Sequence, residues 1–124
     1  MSPWTADDLS NVGAAHELEL ATVRRDGSLR KPVTVWVVRV DDDLYVRSWR
    51  GRTAAWFRAA QDRREGHIQA GGVDKDVLFI PAEDRINDQI DAAYRTKYRH
   101  SATFVEPMVS SEARATTIRL ATRG

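Results

Sequence analysis

At 124 residues the chain has the length of one domain, long enough to bury a core without disulfides or structural metals. Apolar residues make up 42% and charged residues 30%, a composition typical of globular proteins that argues against a disordered chain. The lack of cysteine excludes disulfides and thiol nucleophiles, and the net charge of +1 provides no overall field for binding nucleic acids or membranes.

Neither a membrane span nor a secretory signal is predicted. Apolar runs fall short of the roughly 18 to 20 residues that a span requires. The N-terminal sequence MSPWTADDLSN lacks both the basic region and the apolar region of a signal peptide. We therefore expect a cytoplasmic protein.

The first half of the chain predicts a short helix and three strands. Thr5 and Asp8 form a capping-box pattern at the start of the helix, which ends near Gly13. Alternating apolar positions and β-branched runs then predict strands, with a hairpin turn at Asp26-Gly27 after the first. The three strands cover residues 17–25, 33–40 and 44–49. The centre of the second strand is apolar on both faces, so we expect it to be covered on both sides.

The rest of the chain adds strands and completes a sheet. Good helix formers follow the third strand over residues 52–61, and Gly66 ends that segment. Three more strands cover residues 67–70, 76–80 and 115–122. Six strands in this order indicate a small β-barrel with flanking helices, and an open α+β sandwich is the alternative. The connections are too short for a series of parallel crossovers, which argues against a doubly wound fold.

A further helix is predicted before the last strand. Apolar residues recur from Ile86 at helical spacing and form one stripe, with Asp84 as a candidate N-cap. Asp91 and Arg95, four residues apart, are expected to pair on the solvent side. The proline-containing segment 100–111 is predicted to be a loop.

The stretch LYVRSWRGRTAAWF, between the third strand and the helix that follows, has the parts of an anion-binding site. Residues 44–64 contain six arginines and one acid, Asp62. The free N–H groups and dipole of the helix start favour negative charge, and arginine matches phosphate with two parallel hydrogen bonds. Gly51 permits close approach of a ligand, and Ser48 and Thr53 offer hydroxyl groups. The alternative is a solvated basic loop whose arginines pair with acids elsewhere.

Aromatic residues surround the same stretch, namely Trp36, Tyr45, Trp49 and Trp56. Such rings stack on planar heterocycles, although ordinary core packing explains Trp56 equally well. The histidines are isolated in sequence, so no metal site is predicted. GxSxG, GxGxxG and Walker patterns do not occur, and no catalytic residue is singled out.

Four segments carry a family resemblance: WVVRVDDDLYVRSWRG, AAW, DAAYRTKY and ATTIRLAT. They resemble a small bacterial family of unknown function over about residues 17–120. That family is similar to the split β-barrel flavin-binding proteins, which include pyridoxamine-phosphate oxidases and deazaflavin-dependent nitroreductases. The resemblance implies a mainly β, α+β fold: a six-stranded antiparallel split β-barrel with two or three flanking helices, forming one domain over residues 1–124.

The resemblance also implies a cofactor, FMN or a deazaflavin, and an oxidoreductase acting on an unknown small organic substrate. The expected cofactor-binding residues are Val35, Trp36, Arg47, Ser48, Arg50, Gly51, Arg52 and Trp56. Carried over by position, Val35 and Trp36 flank the ring. Arg47, Ser48, Arg50 and Arg52 approach the phosphate, and Arg52 stands where the oxidases commonly place lysine.

Related barrels are usually homodimers with the cofactor at the subunit interface, so a homodimer is implied here, with neither a nucleic-acid nor a membrane partner. Two other functions stay open. One is a non-redox binding module that kept the barrel and lost the cofactor. The other is a cofactor-free enzyme, such as a cyclase or isomerase, acting on an aromatic substrate in the Trp-lined cleft. Haem binding would need His16, His67 or His100 as the iron ligand.

Overall fold

The computed structural model describes residues 4–123 and folds them around one antiparallel sheet. Over this range the seven strands are β1 (Leu18–Thr22), β2 (Val33–Val35), β3 (Val37–Val40), β4 (Asp43–Val46), β5 (Glu65–Ala70), β6 (Val73–Pro81) and β7 (Ile118–Thr122). The five α-helices of the same range are α1 (Ala6–Ala14), α2 (Ala55–Arg63), α3 (Asn87–Lys97), α4 (Ala102–Met108) and α5 (Ser111–Arg114). The strand order in the sheet is β2-β1-β5-β6-β7-β4-β3.

The sheet nearly closes into a barrel because its two edge strands, β2 and β3, belong to one continuous segment of the chain, residues 33–40. β2 pairs with β1, with Val35 opposite Leu18, whereas β3 pairs with β4, with Val37 opposite Val46. Trp36 lies between the two strands and outside both ladders. The predicted α+β split barrel is confirmed. It has seven strands in place of six because the predicted second strand breaks at Trp36.

Both faces of the sheet are covered, as the double-sided apolar pattern of residues 33–40 predicted. Val37, Leu44 and Leu120 point into the barrel interior, which is closed by Phe57 of α2. Neighbouring residues on the same strands point outward into a second cluster beneath α3 and α4. That outer cluster contains Val38, Tyr45, Ile90, Tyr94, Tyr98, Val105 and Met108. The alternation of side chains along a strand therefore supplies two cores from one sheet.

The predicted apolar stripe of α3 is confirmed, but its polar partners are not those expected. Ile90 and Tyr94 are fully buried. Asp84 lies in a separate 3-10 turn and makes no capping hydrogen bond for α3. Asp91 pairs with Arg47 and Arg114, while Arg95 pairs with Glu106. The prediction of an Asp91–Arg95 surface pair was wrong. Asp91 pairs with Arg47 because an arginine buried without a carboxylate is far less stable than an exposed arginine, which water can solvate.

The segment predicted as a loop over residues 100–111 is largely helical. α4 includes Pro107, and its residues Val105 and Met108 are buried in the outer cluster. α5 begins after Ser110, whose Oγ accepts a hydrogen bond from Ala113 N at 3.2 Å. The proline removes one backbone hydrogen bond from α4, and burial of the apolar side chains overrides that cost.

Two residues predicted to begin or end a helix show where local sequence signals succeed and fail. Thr5 caps α1 as predicted, accepting a hydrogen bond from Asp8 N at 3.0 Å. Gly66 does not end α2, which stops at Arg63 with Arg64 in the left-handed conformation at φ 56°. Gly66 lies inside β5, where a Cβ atom would approach Ala21 O to 2.2 Å. No helix within residues 4–123 is long and apolar enough to cross a membrane.

Candidate functional site

A cleft of about 660 Å³ opens where the end of β4, the start of α2, the break at Trp36 and helix α4 meet. Its volume lies within the roughly 300 to 1,000 Å³ typical of small-molecule sites. The predicted site residues that line it are Val35, Trp36, Arg47, Ser48, Arg50 and Trp56. Six of the eight predicted positions are thus brought together around one cavity.

Ser48 carries the clearest sign of a missing hydrogen-bond partner. Its residue is buried, and its backbone N–H donates to Thr116 Oγ1 at 2.9 Å. Its side-chain Oγ, however, has no hydrogen-bond partner among the described residues. Leaving a buried hydroxyl unpaired costs about 1 to 3 kcal/mol. A ligand in the cleft would offset this cost by supplying the missing partner.

The start of α2 faces the same cleft. Ala54 is the N-cap residue and provides no side-chain hydrogen bond, and the first turn contains no acidic residue. Ala54, Ala55 and Trp56 all line the cleft. An uncapped helix start offers free backbone N–H groups and the positive end of the helix dipole. The α-helix begins at Ala55, three residues after the start of the predicted segment 52–61, so alanine and not Thr53 stands at its start.

Arg50 is the predicted arginine best placed for a ligand. It is exposed, lines the cleft, and holds its guanidinium 5.1 Å from the centre of the Trp49 ring. Gly51 and Arg52 do not line the cleft. Gly51 has φ +67° and packs against Glu112 of α5, which a Cβ atom would approach to 3.1 Å, and Arg52 is exposed. The glycine therefore shapes the turn and allows close helix packing.

Arg47 is buried to 1% exposure, and protein acceptors already satisfy all five of its N–H donors. Its Nε donates to Thr117 Oγ1 at 2.9 Å, and one terminal nitrogen donates to Asp91 Oδ1 and to the carbonyl of Met108. The other terminal nitrogen donates to both the backbone and the side-chain oxygen of Asn87. A phosphate would gain a hydrogen bond from Arg47 only by breaking one of these.

The aromatic wall of the cleft is preassembled. Trp36 stacks on Tyr98 with ring centroids 3.9 Å apart and planes inclined by 3°, and His16 meets both rings edge-on. The Tyr98 hydroxyl donates to the His16 carbonyl at 2.7 Å and lies 3.2 Å from the Val37 carbonyl. Burial raises the pKa of Tyr98 above its ordinary value, so the phenol stays neutral. Trp56 lines the cleft from α2.

A basic groove of about 480 Å³ adjoins the cleft and shares Val33, Ala55 and Trp56 with it. Its other lining residues include three cations, Arg30, Lys31 and Arg58, and one acid, Asp62. Sequence analysis passed over Arg30 and Lys31. The signal that could have identified them is their position: only one residue separates these two consecutive cations from the strand that was expected beside the cofactor.

Glu17 is a second residue that sequence analysis missed, and it introduces a carboxylate to the lining of the cleft. The cleft therefore has cationic groups near α2 and an acidic group contributed by the chain just before β1. Within residues 4–123, no three His, Cys, Asp or Glu side chains lie close enough together to hold a metal ion.

Solved structures similar to this chain share its fold at low sequence identity. A FAD-binding protein from Mesorhizobium loti is 15% identical with a TM-score of 0.58, over 99% of this chain and 93% of its own. A protein described as F420 reductase is 12% identical with a TM-score of 0.54, over 94% and 93%. The FAD and haem binding protein from Mycobacterium smegmatis is 17% identical with a TM-score of 0.57, over 97% and 67%.

The comparisons by sequence give a family and no curated relative. No curated protein matches the chain. The match to a family extends over residues 8–120, nearly the whole sequence, and includes β1 to β6, the first three residues of β7 and all the residues that line the cleft. The chain belongs to DUF2255, a family described as uncharacterized protein conserved in bacteria.

Proposed function

We propose that this protein binds a phosphorylated flavin-type cofactor, FMN or a deazaflavin, in the cleft and acts as an oxidoreductase on a small organic substrate. The observation that carries the proposal is the unpaired, buried Ser48 Oγ beside the uncapped start of α2. Together they form an incomplete polar site that an anion with several acceptor oxygens completes. Structurally similar proteins described as FAD-binding or as F420 reductase support a cofactor of this type.

The phosphate end of the ligand is assigned to Ser48, the N–H groups at the start of α2, and Arg50. The basic groove beyond Trp56 extends this positive region through Arg30 and Lys31. Arginine and lysine in that groove suit the remaining negative charge of a phosphate or of a longer anionic tail.

The planar ring is assigned to the opposite part of the cleft, beside Val35 and Trp36. Stacking on Tyr98 holds the Trp36 ring in place before any ligand binds, which lowers the ordering cost of binding. When bound, the cofactor supplies hydride-transfer chemistry, and the protein groups bind it, orient it and exclude water. Residues 4–123 bring no conventional catalytic set of side chains into the cleft, which is compatible with this division of labour.

We also propose that the protein is a homodimer that completes the mouth of the cleft. Trp49 and Phe104, both lining residues, are 59% and 68% exposed. Large apolar side chains clustered at a cavity rim indicate a protein interface more often than a solvent-facing surface. A second copy of the chain is the partner that the related barrels suggest.

One observation favours a second candidate function. Arg47 is fully committed to protein acceptors and Arg52 lies away from the cleft, so Arg50 is the lining arginine left to meet an anion. Glu17 adds a negative charge to the same lining. This balance suits an uncharged aromatic ligand, as expected of a non-redox binding module or of a cofactor-free enzyme such as a cyclase or isomerase.

A titration separates the two candidates. Purified protein is titrated with FMN, a phosphorylated deazaflavin and riboflavin, and binding is followed by the quenching of ligand fluorescence. The flavin proposal expects both phosphorylated ligands to bind more tightly than riboflavin, and added salt to weaken FMN more than riboflavin. Riboflavin binding as tight as FMN would favour the second candidate, and failure of all three ligands to bind would overturn the flavin proposal.

A further inference from the structure

A third cavity, of about 640 Å³, lies between α1, β3 and α3 and shares no lining residue with the cleft or the basic groove. Small residues, including Gly13 and Ala93, form much of its surface. Its two charged lining side chains, Arg39 and Lys97, are both cationic, and none of its lining residues is acidic. This α1–α3 groove therefore suits an anionic ligand and is independent of the proposed cofactor site.

Lys97 ends α3 and is held in an unusual environment for a lysine. The side chain is half-buried, its Nζ donates to the Val37 carbonyl at 2.5 Å, and it lies 5.1 Å from the centre of the Tyr98 ring. Within residues 4–123 no carboxylate forms an ion pair with it. By contrast, Lys75 pairs with Asp8 at 2.6 Å. The Lys97 amine is fixed in position without a negative partner.

Burial has a chemical consequence for this amine. It lowers the pKa of Lys97 to about 8, because removal from water disfavours the charged ammonium. At pH 7 about one tenth of such amines are neutral, against roughly one in 2,500 for an ordinary lysine with a pKa of about 10.4. Tyr98 is an ionisable neighbour of Nζ, because its hydroxyl and Nζ contact the same Val37 carbonyl. His16 meets the Tyr98 ring edge-on, and the Glu17 carboxylate acts electrostatically on Tyr98. Arg39 from β3 lines the same groove, and α1 contributes no ionisable group to the lining.

We propose that Lys97 is a nucleophilic amine that forms an imine with a small carbonyl compound carrying a carboxylate, bound in the α1–α3 groove. The Nζ lone pair attacks the carbonyl carbon and a C–N bond forms. The carbonyl oxygen leaves as water with both protons of the neutral amine, so no oxidant or reductant is needed. Arg39 provides the cationic group for the carboxylate: its Nε is held by the Asp41 carbonyl at 2.7 Å. Its ion pair with Asp42, at 3.8 Å, is exposed and therefore weak enough for a ligand carboxylate to compete with it.

The chain has only three lysines, Lys31, Lys75 and Lys97, which makes the test direct. The protein is treated at pH 7 with 4-formylbenzoate and cyanoborohydride, which traps imines, and labelled peptides are quantified by mass spectrometry over time. We expect Lys97 to be labelled at least about tenfold faster than either other lysine, given its larger neutral fraction. Equal labelling of the three lysines would overturn the proposal.

Saturation distinguishes a binding groove from a merely reactive amine. The rate at Lys97 should level off as 4-formylbenzoate increases, whereas the N-terminal amine, with an ordinary pKa of about 7.7 to 8.0, should react in proportion to concentration. Arg39→Gln should raise the half-saturating concentration of 4-formylbenzoate and leave that of uncharged benzaldehyde unchanged. A rate at Lys97 that rises linearly, like that of the N-terminal amine, would contradict the groove.

Two lysine variants complete the test. Lys97→Arg keeps a positive charge at the end of α3 and should abolish the saturable labelling while circular dichroism shows the same folded protein. Lys75→Arg, on the β6 strand, should leave labelling of Lys97 unchanged. Saturable labelling that persists in Lys97→Arg would place the reactive amine elsewhere and overturn the assignment.

Discussion

Arg47 and Ser48 are adjacent in sequence and equally buried at 1% exposure, yet they differ in what surrounds them. Every N–H donor of Arg47 has a protein acceptor, whereas the Ser48 hydroxyl has none among the described residues. A buried group that the protein has fully satisfied indicates a structural role. A buried group left unsatisfied at a cavity indicates a place for a ligand. Counting the arginines in a segment of sequence cannot separate a structural arginine from a ligand-binding one.

The largest effect expected from this contrast is on stability. Arg47→Met should lower the free energy of unfolding by about 3 to 5 kcal/mol, because Asp91, Asn87 and Thr117 lose a buried cationic partner. The matched change Arg50→Met should alter it by no more than about 0.5 kcal/mol, since Arg50 is exposed. Urea denaturation of both variants measures the difference. Equal stability of the two variants would remove the structural role assigned to Arg47.

The second prediction compares the two exposed arginines of the same turn. Arg50→Ala should weaken FMN binding by about 1.5 to 3 kcal/mol, the range for hydrogen bonds to charged groups, or roughly tenfold to a hundredfold. Arg52→Ala should bind FMN like the unmodified protein, because Arg52 does not line the cleft. Riboflavin affinity, measured by the same fluorescence titration, should be unaffected in both. A larger loss in Arg52→Ala would return the main phosphate contact to Arg52, which stands where the oxidases commonly place lysine.

A third prediction concerns the unpaired hydroxyl. Ser48→Ala should weaken FMN binding by about 1.5 kcal/mol, or roughly tenfold, the low end of the range for hydrogen bonds to charged groups, because a neutral hydroxyl donates to the phosphate. The ligand-free protein should be as stable as before or more stable, because a buried group without a partner has been removed. Thr53→Ala is the control: it deletes an exposed hydroxyl that donates to the Arg50 carbonyl at 2.9 Å. Reduced stability without reduced binding in Ser48→Ala would show a structural hydroxyl.

Local sequence patterns predicted the barrel well. Alternation located the strands, and the double-sided apolar run at residues 33–40 correctly indicated coverage on both faces. The break at Trp36 was not predictable from that run, because it depends on the two halves finding different partners, β1 and β4. Likewise, α4 forms despite Pro107 because the outer cluster buries Val105 and Met108.

The roles of the site residues were harder to predict for the same reason. Arg47 hydrogen-bonds to Asn87, Asp91 and Thr117, which lie 40, 44 and 70 positions away in sequence. No short window contains both the arginine and its partners, so a structural arginine and a ligand-binding arginine look alike in the sequence. Ser48 was named as a candidate from the sequence, but the absence of a partner for its hydroxyl among the described residues is visible only in three dimensions.

The smallest expected effect on stability comes from a second ionic cluster, which is exposed to solvent, unlike the buried cluster around Arg47. On the β5–β6 hairpin, His67 Nδ1 contacts Asp76 at 2.8 Å and Nε2 contacts Asp74. The hydrogen bond with Asp76 is the largest influence and raises the pKa of His67 above its ordinary value. Burial opposes this increase, and the contact with Asp74 adds to it. The folded protein therefore holds this proton more tightly than the unfolded chain does.

This sets the sign of the last prediction. The stabilisation by His67 should be complete below its unfolded pKa of about 6.5 and should be lost as the pH rises through its raised folded pKa. Exposed ion pairs contribute at most about 1 kcal/mol, so the change in the urea midpoint should be small and should shrink in salt. His67→Gln should flatten the dependence of stability on pH over this range. The stabilisation by the Arg47 network, in which one terminal nitrogen bonds Asp91, should not change over the same range, because arginine stays charged. A His67→Gln variant that still loses stability from neutral to mildly alkaline pH would assign the titration to another group.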